Sequence, residues 1–279
     1  MQDPDDGDGE RTDDGERTDD GERTDDGERT DDGERTDDSD TERTDDSDTE
    51  RTHDGRVDRE TGLERTPGKG RTPRPRVIEE SAPEEFGLVQ VWWGDGKGKT
   101  TAALGMGFRA AGHGYRVHML QLMKGGASSV EDVRGEYNAI EAMPGFTYEN
   151  AGHYGWHGMR DGSDEDAHAA EARAGFERAK ALVAAAGEAS GPIPLDASAD
   201  AGCHLLVLDE ILYAAERDLI DPSELVDLIR SKPDDLELVL TGGHEKPAYL
   251  YDHADLITRV GKVKHPIDAG QRARKGTEY

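Results

Sequence analysis

The chain has 279 residues, a formal net charge of −29 at pH 7 and a single cysteine. That surplus of carboxylates excludes a surface built to replace counterions along nucleic acid, and one cysteine excludes an intrachain disulfide. No apolar run approaches the roughly 20 residues that span a bilayer, and the acidic start is unlike a secretory leader, so a cytoplasmic protein without membrane contact is expected.

Residues 1–82 are of low complexity. DDGERT repeats in tandem over 13–36, and a longer variant, DDSDTERT, runs twice over 37–52. With almost no apolar side chains, burial cannot offset the entropy of ordering, so a disordered acidic tail is expected. Residues 67–76, PGKGRTPRPR, turn basic and proline-rich and read as an extended linker. The tail holds about −17 of the charge and leaves about −12 on residues 83–279, so the body is acidic too. An acidic body with few lysines fits adaptation to high salt, as in a halophilic archaeon.

From residue 83 on, apolar runs alternate with helical patterns, which predicts one α/β domain with a mainly parallel sheet and helices on both faces. Strands are expected over 88–93, 117–123, 146–149, 204–208, 236–241 and 256–260. Helices are expected over 99–111, 128–143, 163–186 (opened by SDED) and 248–254, with a short one starting at Asp221-Pro222. Residues 187–202, GEASGPIPLDASADAG, are turn formers and read as a surface loop. Cys203 reads as a small buried residue.

The chemistry concentrates at two places. Residues 88–101, LVQVWWGDGKGKTT, give a strand, a glycine turn, Lys-Thr and a helix, which is the order of a phosphate-binding loop. Gly94, Asp95, Gly96, Lys97 and Gly98 would turn backbone N–H groups onto phosphate oxygens at a helix N-terminus. Lys99 would reach the distal phosphates, the Thr100 hydroxyl would hold Mg²⁺ (or Mn²⁺), and Thr101 completes the loop. The pattern departs from the usual one in having Trp93 where its first glycine stands. The second place is HLLVLDE at 204–210, an apolar strand ending in Asp209 and Glu210. Ligands of open α/β sheets bind at that strand edge, so either carboxylate could meet the metal, directly or through water. His153 and His157 in GHYGWHG have i, i+4 spacing, but the surrounding glycines argue for a loop rather than a metal-binding helix.

Taken together, these residues resemble the P-loop type of ATP:corrinoid adenosyltransferases, with a RecA-like fold. The resemblance is carried by GDGKGKTTAALG, Arg109-Ala110-Ala111-Gly112-His113-Gly114, Gln121-Leu122-Met123-Lys124-Gly125, Gly145-Phe146-Thr147, VLDE at 207–210 and VKHPIDAGQRARKGTEY at the C-terminus. It implies transfer of the 5′-deoxyadenosyl group of ATP to the Co(I) of cob(I)yrinic acid a,c-diamide or cob(I)alamin, with release of triphosphate, in adenosylcobalamin biosynthesis or salvage. It also implies a homodimer and a partner reductase, a Co(II)-reducing flavoprotein or similar.

By the same resemblance, Lys99, Thr100 and Glu210 carry catalysis, and Arg109, Lys264 and His265 stand near the nucleotide. Phe146 and Tyr148 stand where the family faces the corrinoid, although residues i and i+2 of a strand could equally pack in the core. Many members carry an arginine after the Thr-Gly pair matching Thr241-Gly242. Here Gly243 stands there, and Arg259 or Lys262 could supply the missing charge. The alternatives are a generic P-loop ATPase or kinase and a non-catalytic corrinoid carrier.

Overall fold

The computed structural model describes residues 74–124, 135–151, 165–271 and 273–277, and the side chains from 168 onward in the third stretch. The chain divides into units 1–71 and 72–279, and the second carries all the described residues. Residues 1–73 of the tail expected to be disordered, residues 152–164 with both histidines of GHYGWHG, and residues 125–134 lie outside them.

Six parallel strands form one sheet: β1 (Val89–Trp93), β2 (Val117–Leu122), β3 (Phe146–Ala151), β4 (Leu205–Asp209), β5 (Glu237–Thr241) and β6 (Leu256–Arg259). Their order is β3-β2-β4-β5-β1-β6, so β5 stands between the strand that leads into the glycine turn and the strand that ends in Asp209. This is the expected RecA-like α/β arrangement.

The alternation of side chains along the strands makes two cores. On one face, Val117, Met119, Phe146, Leu205, Val207 and Val239 pack under α1 (Lys99–Gly112) and α2 (Gly135–Glu141). On the other, Val91, Leu120, Leu122, Leu206, Leu208 and Leu240 pack under α3 (Glu165–Glu188), α4 (Ile211–Glu216) and α5 (Pro222–Ser231). The central strands β2, β4 and β5 are buried along their whole length, as continuous apolar runs in a parallel sheet require. α5 begins as its sequence predicts: Pro222 opens it and the Asp221 carboxylate accepts from Ser223 N at 2.8 Å.

Some expectations change. The helix expected over 248–254 is a single 3₁₀ turn, Ala248–Leu250. Within the loop at 187–202 there is one 3₁₀ turn, Ala199–Ala201. α4 was not expected at all. It follows β4 directly, with Glu210 in the left-handed region (φ 62°) as its N-cap. No conventional start signal marks it. At the other end of the sequence, Ser81 N, within the stretch 1–82 read as tail and linker, donates to Gly114 O at 3.0 Å, beside the turn between α1 and β2.

Candidate active site

The strands end at a common edge, and a polar row crosses the sheet there. Asn150 of β3 lies beside Gln121 of β2, and Gln121 beside Asp209 of β4. Hydrogen bonds join them laterally. Gln121 Nε2 donates to Asp209 Oδ2 at 2.8 Å, and the hydroxyl of Tyr137 on α2 donates to Gln121 Oε1 at 2.5 Å and accepts from Asn150 Nδ2 at 3.0 Å. On the other side, Thr241, the last residue of β5, donates to Asp209 Oδ1 at 2.5 Å.

The glycine turn arrives at this row from β1. Trp93 is the last residue of the strand and is buried, with the Arg259 guanidinium 5.5 Å above its ring. Gly94 N donates to Gly243 O at 3.0 Å, and Gly96 N donates to Val260 O at 2.8 Å. A Cβ at Gly94 would stand 2.4 Å from Val260 O, so the turn needs glycine to lie this close to the end of β6. Gly98 caps α1 with φ 114°, has open space around it, and α1 has no side-chain cap and no acidic residue in its first turn. The first N–H groups of that 14-residue helix therefore face outward without a competing protein acceptor from the cap position, which is what an incoming phosphate needs.

Lys99 folds back over its own loop, donating to Gly94 O at 2.5 Å and Gly96 O at 3.1 Å. Burial holds its ammonium below the ordinary lysine range. The attraction of Glu210 opposes this and the nearby Lys124 ammonium adds to it. Thr100 Oγ1 donates to Asp209 Oδ1 at 2.9 Å, and so joins loop and acid. Lys97 and Thr101 are exposed at the mouth of the loop. Asp95 accepts from Lys262 N at 3.1 Å, a bond that leads the causes holding its carboxyl below the usual range.

Lys124 completes the constellation. Its ammonium lies 2.9 Å from Thr100 Oγ1, 2.9 Å from Asp209 Oδ2 and 3.0 Å from Glu210 Oε1. Burial alone would lower its pKa, but Asp209 and Glu210 outweigh burial and raise it. Asp209 is fully buried. Burial would raise it, yet Lys124 and the donors Thr241 and Gln121 keep it ionised, with its pKa lowered. Glu210 takes its left-handed φ with its N–H donating to Thr241 Oγ1 at 3.2 Å.

The remaining expected residues divide. Tyr148 lies on the same face of β3 as Asn150, one pleat below the polar row, and stacks on Tyr137 at 4.5 Å between ring centroids, 4° from parallel. Phe146 lies one pleat further down, 3% exposed, edge-on to Phe108 in the core under α1. It is not brought to the strand edge, and the core-packing alternative describes it. Arg109 is ten residues beyond Lys99 on α1, about 15 Å along the helix. There it lines a cavity of about 200 Å³ with Phe86, Met106, Tyr115 and Glu237, away from the loop within this protomer. Lys264 and His265 follow Lys262, whose backbone is tied to the loop. Lys264 is exposed, and His265 Nδ1 accepts from Ile267 N at 3.0 Å. Sequence reasoning assigned no role to Gln121, Lys124, Tyr137, Asn150 or Thr241. The Gln-x-x-Lys pair at the end of β2 was the one available signal for the first two.

The geometry supports binding of a polyphosphate on the loop, beside a buried acid and two ammonium groups. The family model for ATP:corrinoid adenosyltransferase BtuR/CobO/CobP matches residues 85–279, which include every group described above. The chain belongs to that family. It is similar to the corrinoid adenosyltransferase CobA of Salmonella typhimurium, 30% identical over 202 residues that cover 71% of this chain and 88% of that protein. A corrinoid adenosyltransferase of Pseudomonas aeruginosa is 29% identical over 231 residues, covering 78% of this chain and 100% of the relative. A third, from Sinorhizobium sp., is 31% identical over 221 residues, covering 76% and 88%. The protein is accordingly a transferase, with ATP as the adenosyl donor and a corrinoid as the acceptor.

Proposed function

We propose that this adenosyltransferase carries out its reaction at the polar row, with ATP lying along the 94–101 loop and the corrinoid approaching from the side of Tyr148 and Tyr137. The observation that carries this reading is the Thr100–Asp209 hydrogen bond, which joins phosphate loop and acid strand into one site. The Co(I) electron pair forms the bond to C5′, and the C5′–O bond breaks with its pair leaving on the triphosphate. Co(I) is itself a powerful nucleophile, so the protein needs neither a general base nor a nucleophilic side chain. Its tasks are positioning and stabilisation of the charge on the leaving group. The N–H groups of the loop and of the first turn of α1 supply donors. Lys99 releases the loop carbonyls and turns to the triphosphate. Lys97 and the segment around Lys262, Lys264 and His265 add positive charge at the exposed side.

The residues fit a divalent cation. Three oxygens, on Thr100, Asp209 and Glu210, already converge on one positive charge, the ammonium of Lys124. Thr100, with Asp209 and Glu210 directly or through water, would hold Mg²⁺ or Mn²⁺, which when bound supplies charge to the triphosphate oxygens.

A homodimer, a reductase that delivers Co(I), and a cytoplasmic setting complete the proposal. Among the described residues no helix is long and apolar enough to cross a membrane. The net charge of −29 favours a medium of high ionic strength. Anaerobic incubation with ATP, Mg²⁺ and chemically reduced cob(I)alamin tests the proposal. A light-sensitive alkyl-cobalamin spectrum with triphosphate as the phosphate product is expected. ADP and phosphate without a cobalt–carbon bond would overturn it.

A further inference from the structure

Among the described residues, Lys124 is the one cation that touches all three groups assigned to the metal. It follows β2 directly, after Met123, a buried non-glycine residue in the left-handed region (φ 58°). Such a backbone is costly away from glycine and persists where the surroundings enforce it. Its ammonium reaches oxygens of β4, of the residue after β4 and of the first turn of α1, all at 2.9 or 3.0 Å. The side chain is 13% exposed and that of Asp209 0%. A divalent ion held by the same three oxygens would stand where the ammonium stands, and two positive centres cannot share that position. Once displaced, a buried ammonium needs a new anion. An arriving nucleotide brings one, because Lys124 Nζ donates to the same Thr100 hydroxyl that opens α1 under the phosphate loop.

We propose that Lys124 is the resident cation of the metal site: its ammonium fills the divalent-ion position while nucleotide is absent, and passes to the triphosphate when a metal–ATP complex enters. The site thereby takes its metal together with ATP and refuses the free ion. Lys124 is a positioning residue on this account, and the account rests on the metal reading given above.

The test is Mn²⁺ binding by electron paramagnetic resonance, with wild type, Lys124→Met and Lys124→Arg, each with and without ATP and without corrinoid. Wild type and Lys124→Arg should bind Mn²⁺ weakly when ATP is absent, and Lys124→Met at least about tenfold more tightly, because a neutral side chain leaves the oxygens to the metal. Equal affinities of Lys124→Met and wild type would overturn the proposal. Wild type with ATP should show protein-bound Mn²⁺ that Thr100→Ala removes. If that signal is missing, the metal reading fails and the proposal falls with it. Should Lys124→Met not fold by circular dichroism, wild type alone decides. Mn²⁺ bound as tightly without ATP as with it overturns the proposal, and a steep dependence on ATP supports it.

Discussion

Thr100 and Asp209 are 109 positions apart in sequence and 2.9 Å apart in space. Asp209 also holds Lys124, and the pair lies in a mostly buried setting, with the Asp209 side chain fully enclosed. Replacing Asp209 by alanine leaves the ammonium with Glu210 alone as its anion. The expected cost is about 3 to 5 kcal/mol of folding stability, the usual result of breaking a buried pair. Urea unfolding should show it, and the double variant Asp209→Ala/Lys124→Met should recover part of the loss.

Lys99→Ala should fold as well as wild type, since its partners are two loop carbonyls at a half-exposed site. Its rate of adenosyl transfer should fall by about 10²- to 10³-fold, the range for losing one donor to a developing anion. Initial rates under anaerobic conditions check this.

His118 makes stability depend on pH. It is 1% exposed on β2, with Nδ1 against Thr147 Oγ1 at 2.9 Å. Burial, only partly countered by Glu149, pulls its pKa down from 6.5 to about 4. The unfolded chain therefore binds a proton near pH 6.5 that the folded chain refuses until about pH 4. Stability falls as pH drops through that window, by about 1 kcal/mol per pH unit. Glu149, whose folded pKa is lowered by Arg178, adds stability above the ordinary glutamate range and loses it only in stronger acid. Urea midpoints at pH 7, 6 and 5 should decline in wild type and decline less in His118→Phe.

Gly107 on α1 gives Phe146 its place. A Cβ there would stand 2.6 Å from the Phe146 ring. Gly107→Ala should cost about 1 to 3 kcal/mol by overpacking, and Phe146→Leu in the same chain should relieve part of it. Thermal unfolding of the single and double variants checks this. Additive losses would mean that the two side chains do not meet.

Arginine at 243, the residue that the family resemblance leads one to expect after Thr241-Gly242, should not be a simple improvement. Gly243 has φ 65°, and its carbonyl holds Gly94 N. An L-residue pays about 1 to 2 kcal/mol for that backbone. Gly243→Arg should lower the melting temperature by several degrees, as differential scanning calorimetry would register.

The sequence made legible whatever is local. The glycine turn, Lys99, Thr100 and the apolar strand ending in Asp209 are contiguous patterns, and each occupies the expected place. The polar row was not legible, because Asn150, Gln121 and Asp209 become neighbours only through strand register, which no spacing in the chain encodes. α4 escaped notice for a related reason: its N-cap is a glutamate in a glycine-like conformation. Phe146 and Tyr148 share a face, and only the position of α1 over one and α2 beside the other separates a core ring from one near the site.

The placement of β5 between β1 and β4 has a consequence for what the site can accept. Parallel strands repeat at about 4.8 Å, so the origin of the phosphate loop and the origin of the acid are held about 9.6 Å apart by backbone ladders alone. Side chains adjust contacts at either end of that interval, but they do not set its length. The sheet thus acts as a fixed gauge for the charged part of the substrate. On the corrinoid placement proposed above, adaptation toward other corrinoids would proceed on the Tyr137–Tyr148 side while the phosphate measure stays unchanged.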